Sequence, residues 1–107
     1  MEHAAATNAL SALGHTTRLS VFRLLVQAGR SGRLPGDLAE ALDLPGATLS
    51  FHLKALAAAG LITSEQRGRT IRYQADFDAM TALVAYLTEN CCAGDGSDCP
   101  PSASCTS

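Results

Sequence analysis

Residues 35–62, PGDLAEALDLPGATLSFHLKALAAAGLI, contain the pattern that decides the fold of this chain. Pro35 suits the first turn of a helix, where its missing N–H costs no hydrogen bond, and it predicts a helix over 35–43. A Leu-Pro-Gly turn interrupts the pattern, and leucines at helical spacing predict a second helix over 47–59. Gly60 is a residue type that commonly follows a helix end. Two short helices joined by a tight turn indicate a helix-turn-helix.

The second of these helices has one apolar face and one face of small or polar side chains. At about 100° per residue, Leu49, Leu53 and Leu56 point inward. The side chains predicted to point outward are Ala47, Thr48, Ser50, Phe51, Lys54 and Ala55, with His52 on the border. Such an outer face fits the major groove of DNA, which is about 12 Å wide. We therefore predict that this helix recognises DNA through Thr48, Ser50, Phe51, His52 and Lys54.

Two of these residues have alternative interpretations. The aromatic ring of Phe51 on a solvent face needs an explanation. It either packs against a neighbouring helix or loop, or makes apolar contact with thymine methyl groups. His52 either braces the turn or contacts a phosphate or base. No partner His or Cys lies at helical spacing from His52, so no metal site is predicted there.

A β-hairpin is predicted directly after the helix-turn-helix. Residues 61–63 favour a strand, and residues 70–74 alternate between polar and apolar side chains, as a half-buried strand does. Gly68 permits the tight turn between them, and basic side chains surround it at Arg67, Arg69 and Arg72. Guanidinium groups at a hairpin tip can straddle a phosphate backbone or enter the minor groove. A solvated turn is the alternative, but the order of elements favours a winged helix-turn-helix.

Two helices are predicted before this motif and one after it. Residues 2–13 are alanine-rich, and the next helix begins at a cap from Thr16 or Thr17 and ends at Gly29. The apolar face of that second helix is predicted to contain Leu19, Phe22, Leu25 and Val26. Asp76 can cap the last helix. The fold class is therefore mainly α with a small hairpin.

The last helix carries a stripe of apolar side chains that packing within a single chain does not explain. Its members are Phe77, Met80, Val84 and Leu87. Together with Leu10 and Leu13 of the first helix, the stripe is too apolar for solvent. We predict an isologous dimer joined through the first and last helices, a symmetry that suits a two-fold operator.

Length and charge limit the class of protein. At 107 residues the chain predicts one domain, over 1–92, followed by a flexible cysteine-containing tail over 93–107. We expect a cytoplasmic protein without a membrane partner, since neither an 18-residue apolar stretch nor a secretory signal is found. The net charge is −2, yet residues 18–72 hold all eight basic residues and only four acids. This asymmetry favours an anionic partner for the middle of the chain.

The sequence resembles the ArsR/SmtB family of bacterial metal-responsive repressors over roughly residues 8–92. The similar segments are Gly36–Leu42, Thr48–Leu56 and Ala59–Ile62, together with a helical entry over Thr16–Leu25. The resemblance implies a homodimer built mainly on its first and last helices. It also implies that the dimer binds double-stranded operator DNA and leaves it when metal binds.

All four cysteines, Cys91, Cys92, Cys99 and Cys105, lie in the last 17 residues. Two effector sites of the family are absent here. Leu34 and Gly36 occupy the positions of one cysteine pair, and the last helix has no histidine for a zinc site. Cys91, Cys92 and Cys99 instead resemble the C-terminal trithiolate site of arsenic-responsive members.

The chemistry of the thiols supports As(III), or Sb(III), as the effector. Thiolates select soft ions, and As(III) prefers three sulfurs in a pyramid. Two glycines in the segment 93–98 permit a sharp return from Cys92 to Cys99, while Cys105 is spare or an exchange ligand. Zinc or cadmium binding, a redox switch and an unreactive tail remain alternatives. Adjacent cysteines fit tetrahedral zinc poorly, because structural zinc favours a C-x₂₋₄-C spacing.

An enzymatic role is the remaining class to consider. A thiol reductase could use a vicinal cysteine pair, but a catalytic cysteine needs an activating base or cation nearby. The three histidines lie far from the tail in sequence, and neither a C-x-x-C motif nor a phosphate loop occurs. We therefore predict no enzymatic activity and no organic cofactor.

Overall fold

A computed structural model describes residues 1–91 of the chain. In order, the elements are α1 His3–Leu13, α2 Thr16–Ala28, a 3₁₀ turn Gly29–Ser31, α3 Pro35–Leu42, α4 Gly46–Ala58, β1 Ile62–Arg67, β2 Thr70–Ala75 and α5 Phe77–Thr88. The predicted mainly α fold with a winged helix-turn-helix is confirmed. Cys92 and the predicted tail over 93–107 lie outside the described residues. Within the described part, no helix is long and apolar enough to cross a membrane.

The core lies where α2, α3, α4 and the start of the hairpin meet. Its most deeply buried side chains are Val21, Leu25, Leu38, Leu49, Leu53, Leu56 and Leu61. Burial of each leucine contributes about 1.5–3 kcal/mol, so this cluster dominates the stability of the domain. The buried residues of the first helix are all alanines, Ala6, Ala9 and Ala12. Their small side chains let α1 lie close against its neighbours.

The N-terminus of α2 differs from the sequence prediction. His15 caps this helix, since its Nδ1 accepts a hydrogen bond of 3.1 Å from the Thr17 N–H. The predicted caps, Thr16 and Thr17, already lie inside the helix. The cap one residue earlier is favoured because His15 has the extended backbone that a capping residue needs. The predicted cap of α5 is confirmed, since Asp76 Oδ1 accepts from the Ala79 N–H at 3.0 Å.

The buried face of α2 is rotated from the predicted one. Val21, Phe22 and Leu25 are buried, whereas Leu19 is 43% exposed and Val26 is half-buried. The predicted face was wrong at Leu19. A window of alternating apolar residues fits two faces of a helix, and packing against α3 and α4 selects the face that contains Val21.

The hairpin is longer than predicted, and a residue before α3 pairs with its second strand. Its register runs from Ile62 opposite Ala75 to Arg67 opposite Thr70. Arg33 also pairs with Tyr73, and each N–H of the two residues donates to the other's carbonyl at 2.8 Å. Gly32 is required beside this bridge, because its φ is +65° and a Cβ there would collide with the Tyr73 carbonyl oxygen. The bridge fixes the hairpin against the end of α2.

Candidate nucleic-acid interface

The turn between α3 and α4 sets the direction of the recognition helix. Asp43 adopts a left-handed conformation with φ of 53°. Its N–H donates to the Glu40 carbonyl at 3.3 Å, and the Leu44 N–H donates to the Ala39 carbonyl at 2.9 Å. These two hydrogen bonds form a Schellman motif, with aspartate in the position that glycine usually takes. Pro45 occupies the N-cap position of α4 without a side-chain hydrogen bond, and α4 begins at Gly46, one residue before the predicted start.

The C-terminus of α4 ends in a Schellman motif like the one that ends α3. Gly60, with φ of +78°, donates from its N–H to the Ala57 carbonyl at 3.0 Å. The Leu61 N–H donates to the Leu56 carbonyl at 3.1 Å, and both leucine side chains are fully buried. The prediction that Gly60 follows the helix end is confirmed. Because Leu49 near its start and Leu56 near its end are both buried in the core, the recognition helix has a fixed orientation.

The outer face of α4 is exposed as predicted. We use the name recognition surface for Thr48, Ser50, Phe51 and Lys54, all of which are exposed. Ala47 is also exposed, and Ala55 is half-buried. The predicted inner residues, Leu49, Leu53 and Leu56, are buried. The recognition surface therefore presents two hydroxyls, one aromatic ring and one ammonium group, a set suited to a major groove.

The aromatic contact of Phe51 lies within its own helix. Its ring meets that of His52 edge to face, with centroids 5.5 Å apart and an angle of 70° between the planes. It nevertheless remains 64% exposed. The contact orients the ring, and the exposed part is available to a partner such as a thymine methyl group.

His52 is not on the recognition surface. Only 7% of its area is exposed, and its ring lies 4.8 Å from that of His15, centroid to centroid. Its Nδ1 is buried without a hydrogen-bond partner. Burial, and then the adjacent charges of His15 and Arg18, lower the pKa of His52 below its ordinary value of 6.5. This placement supports the bracing role, and the structure does not bring the ring to the face predicted to meet DNA.

The wing tip carries two exposed guanidinium groups. Gly68 has φ of +62° at the first position of a two-residue turn, which is the glycine position of a type II′ hairpin. Arg67 and Arg69 flank it, and both are exposed. Arg72 is half-buried instead, and its Nη1 donates to the Ser31 carbonyl at 2.9 Å. The structure therefore groups Arg67 and Arg69 at the tip and holds Arg72 at the base of the wing.

The predicted sensor lies at the other end of the chain. Helix α5 ends at Thr88, and Asn90 turns the backbone with φ of 59°. The half-buried Cys91 follows, with its N–H donating to the Thr88 carbonyl at 3.0 Å. Cys92 and Cys99, the other predicted ligands, lie outside the described residues, as does Cys105. Among residues 1–91, no group of three or more His, Cys, Asp or Glu side chains forms a metal site.

The face predicted to form a dimer is exposed and apolar. Leu10 is 45% exposed, Val84 48% and Leu87 58%. Leu13, Phe77 and Met80 are half-buried and pack against the core. Next to this face, His3 Nδ1 and the Tyr86 hydroxyl share a hydrogen bond of 2.7 Å between α1 and α5. No local sequence pattern marks that bond, because its partners are 83 residues apart.

Comparison with known proteins agrees with this architecture. Residues 13–65 match a family described as a helix-turn-helix domain. The SmtB transcriptional repressor of Mycobacterium tuberculosis is 37% identical over 70 residues, which cover 65% of this chain and 50% of the relative. The chain thus spans about half the length of that repressor. The arsenical resistance operon repressor of Bacillus subtilis is 33% identical over 92 residues, covering 82% of this chain and 84% of the relative.

Solved structures show the same fold. An ArsR-like transcriptional regulator from a Rhodococcus species has a TM-score of 0.70 at 30% identity, covering 79% of this chain and 77% of its own. A homodimeric winged helix-turn-helix DNA-binding domain from Mycobacterium bovis has a TM-score of 0.65 at 27% identity, covering 80% of both chains. The reduced form of HlyU from Vibrio cholerae has a TM-score of 0.61 at 26% identity, covering 78% of this chain and 88% of its own.

Proposed function

The chain belongs to the ArsR/SmtB family of winged helix-turn-helix proteins, and from this premise we propose that it is a transcriptional repressor. It binds double-stranded operator DNA as a homodimer. It leaves that operator when As(III) or Sb(III) is bound by Cys91, Cys92 and Cys99. The observation that carries the proposal is the recognition surface, exposed on a helix whose opposite face is buried in the core, together with the cationic wing tip.

The contacts with DNA divide into two kinds. Lys54, Arg67 and Arg69 attract phosphates and position the protein, while Ser50 and Phe51 meet base edges. Thr48 is the third exposed side chain of α4 that can contact a base. Because α4 is held by the core at both ends, the protein binds DNA without rearranging this helix.

Dimerisation follows from the exposed apolar face on α1 and α5. A second copy covers Leu10, Val84 and Leu87, which removes their apolar surface from water. A homodimeric relative of the same fold supports this arrangement. The two-fold axis then sets the spacing of the two recognition helices, which matches an operator with two half-sites.

Sensing is assigned to the cysteines beyond α5. Cys91 lies three residues after the last residue of α5, the helix that carries the exposed apolar face. A ligand bound at Cys91 therefore acts next to the predicted dimer interface and can change the spacing of the recognition helices. The similarity to a repressor of an arsenical resistance operon supports a trivalent metalloid as that ligand.

An operator gel shift under reducing conditions tests this function. The wild-type protein should retard a two-fold operator, arsenite should release it, and equal concentrations of Zn²⁺ or Cd²⁺ should not. Cys99→Ser should keep DNA binding and lose the arsenite response, while the matched variant Cys105→Ser should keep both. A Cys99→Ser protein with full sensitivity to arsenite would refute the trithiolate site.

A redox switch is the second candidate function, favoured by the similarity to reduced HlyU. In that mechanism two thiols transfer two electrons and two protons to peroxide, which gives one disulfide and two waters. The same gel shift separates the two functions. Release by peroxide and restoration by a dithiol, without any effect of arsenite, would replace the metalloid proposal with the redox one.

A further inference from the structure

An arginine cleft lies between the hairpin and the 3₁₀ turn that follows α2. It has a volume of about 300 Å³ and is lined by Arg30, Ser31, Glu65, Arg67, Arg72 and Gln74. Its floor is the outer face of the hairpin, because Glu65 pairs with Arg72 in the register and side chains alternate between faces. The opposite face packs into the core through Ile62 and Ala75. The cleft therefore opens away from the core.

The charge in this cleft is not balanced by the described chain. Glu65 pairs with Arg67, and this is the one salt bridge that residues 1–91 contain. Arg72 donates only to the neutral Ser31 carbonyl, at 2.9 Å. The guanidinium carbon of Arg30 lies 5.9 Å from the centroid of the Phe77 ring, also a neutral partner. Three arginines thus share the single carboxylate of Glu65 in one cleft, which leaves an excess of two positive charges there.

We infer that the arginine cleft binds a phosphate group. A guanidinium presents paired N–H donors that match phosphate oxygens, and two such groups can hold one phosphate from two sides. The Gln74 amide adds a further donor in the same cleft. Arg67 belongs to both the cleft and the wing tip, so a DNA backbone following the tip would pass the cleft. The source of the phosphate is therefore either DNA beyond the recognition surface or a free phosphate compound.

The first test uses inorganic phosphate and the full chain without DNA. Arginine Nε–H signals would be followed by NMR during a phosphate titration at constant ionic strength, with chloride in the reference titration. We expect saturable shifts at Arg30 and Arg72. Arg30→Gln should abolish the saturation, and the exposed α2 variant Arg23→Gln should retain it. Equal shifts with chloride, or saturation that survives Arg30→Gln, would overturn the proposal for free phosphate.

The second test asks whether DNA supplies the phosphate. If it does, Arg30→Gln should lower the slope of log K against log salt by about one contact relative to Arg23→Gln. An unchanged slope with saturable phosphate binding assigns the cleft to a free phosphate compound. An unchanged slope without phosphate binding refutes the cleft as a phosphate site. The first test needs no operator, so its outcome is independent of the repressor proposal.

Discussion

The recognition helix α4 and the last helix α5 are anchored in different ways. Helix α4 buries three leucines along its length and ends in a hydrogen-bonded turn, so one chain determines its position. Helix α5 fully buries only Leu83 and leaves Val84 and Leu87 exposed. Under the proposed function, the DNA-contacting helix is therefore fixed within each protomer. The proposal places the spacing between two protomers under the control of α5, so that a ligand next to α5 changes that spacing without disturbing the recognition surface.

The largest expected effect comes from removing the support of α4. Leu53→Ala should lower the free energy of unfolding by about 2–5 kcal/mol, because it leaves a cavity in a site with 1% exposure. Leu87→Ala on α5 should weaken dimerisation and lower the free energy of unfolding much less at low protein concentration. Urea denaturation at several protein concentrations measures both effects.

The contrast between α4 and α5 is refuted if Leu53→Ala and Leu87→Ala lower the free energy of unfolding by the same amount. A large loss for Leu87→Ala in the monomer would mean that α5 is anchored by its own chain after all. A wild-type protein that sediments as a monomer at micromolar concentration and still binds its operator would refute the α1–α5 dimer.

Base contacts and phosphate contacts should contribute different kinds of binding energy. Phe51→Ala or Ser50→Ala should cost about 1–3 kcal/mol for each lost base contact and alter sequence preference. Lys54→Ala, Arg67→Ala and Arg69→Ala should weaken binding to all sequences and reduce the salt slope by about one each. Fluorescence anisotropy over a salt series, with specific and scrambled duplexes, measures both. Three unchanged slopes would rule out the proposed phosphate contacts.

The response to arsenite tests the role of α5, because the ligand should act through α5 and leave α4 in place. A coupling free energy of about 1–3 kcal/mol is typical and would weaken operator binding by about 5–150-fold when arsenite is bound. Cys91→Ser should remove this change and leave arsenite-free binding intact, since Cys91 lies outside the recognition surface. Titrations of the operator with and without arsenite give the coupling directly. Loss of the response in Cys105→Ser alone would contradict the assignment.

Local rules explain which parts of the fold were predictable. Pro35, Gly60 and Asp76 mark helix ends by their own chemistry, and the bounds of α3 and α4 and the start of α5 agree with the sequence prediction to within one residue. The missed contacts join distant segments. The Arg33 bridge to Tyr73 and the bond from His3 to Tyr86 depend on the packed fold, and no local pattern marks them.

The candidate site also contains residues that local rules predict and residues whose positions depend on the packed fold. The exposed residues of α4 follow from helical periodicity. The same periodicity places His52 on the border between the exposed and the buried face. Its burial depends on His15, which reaches it from the start of α2 through the fold. The proposed thiol site rests on sulfur chemistry and on spacing, and two of its three ligands lie outside the described residues.

The smallest expected effect concerns His52, the buried support beneath the recognition surface. Its pKa lies below 6.5 in the folded protein because burial, and then His15 and Arg18, disfavour its charged form. In the unfolded chain the imidazole titrates near 6.5. Above that pH both states are neutral and the full stability is present. As the pH falls below 6.5, the unfolded chain binds the proton first, so stability decreases until the lower folded pKa is passed.

Comparison with His52→Gln isolates this contribution from the other acid-sensitive groups. The wild-type protein should lose more unfolding free energy between pH 7.5 and 5.5 than His52→Gln does, as measured by urea denaturation at each pH. His15→Gln should reduce the difference, because it removes one of the two charges that face His52. Parallel pH profiles for the wild-type protein and His52→Gln would show that His52 does not limit the stability of α4 in acid.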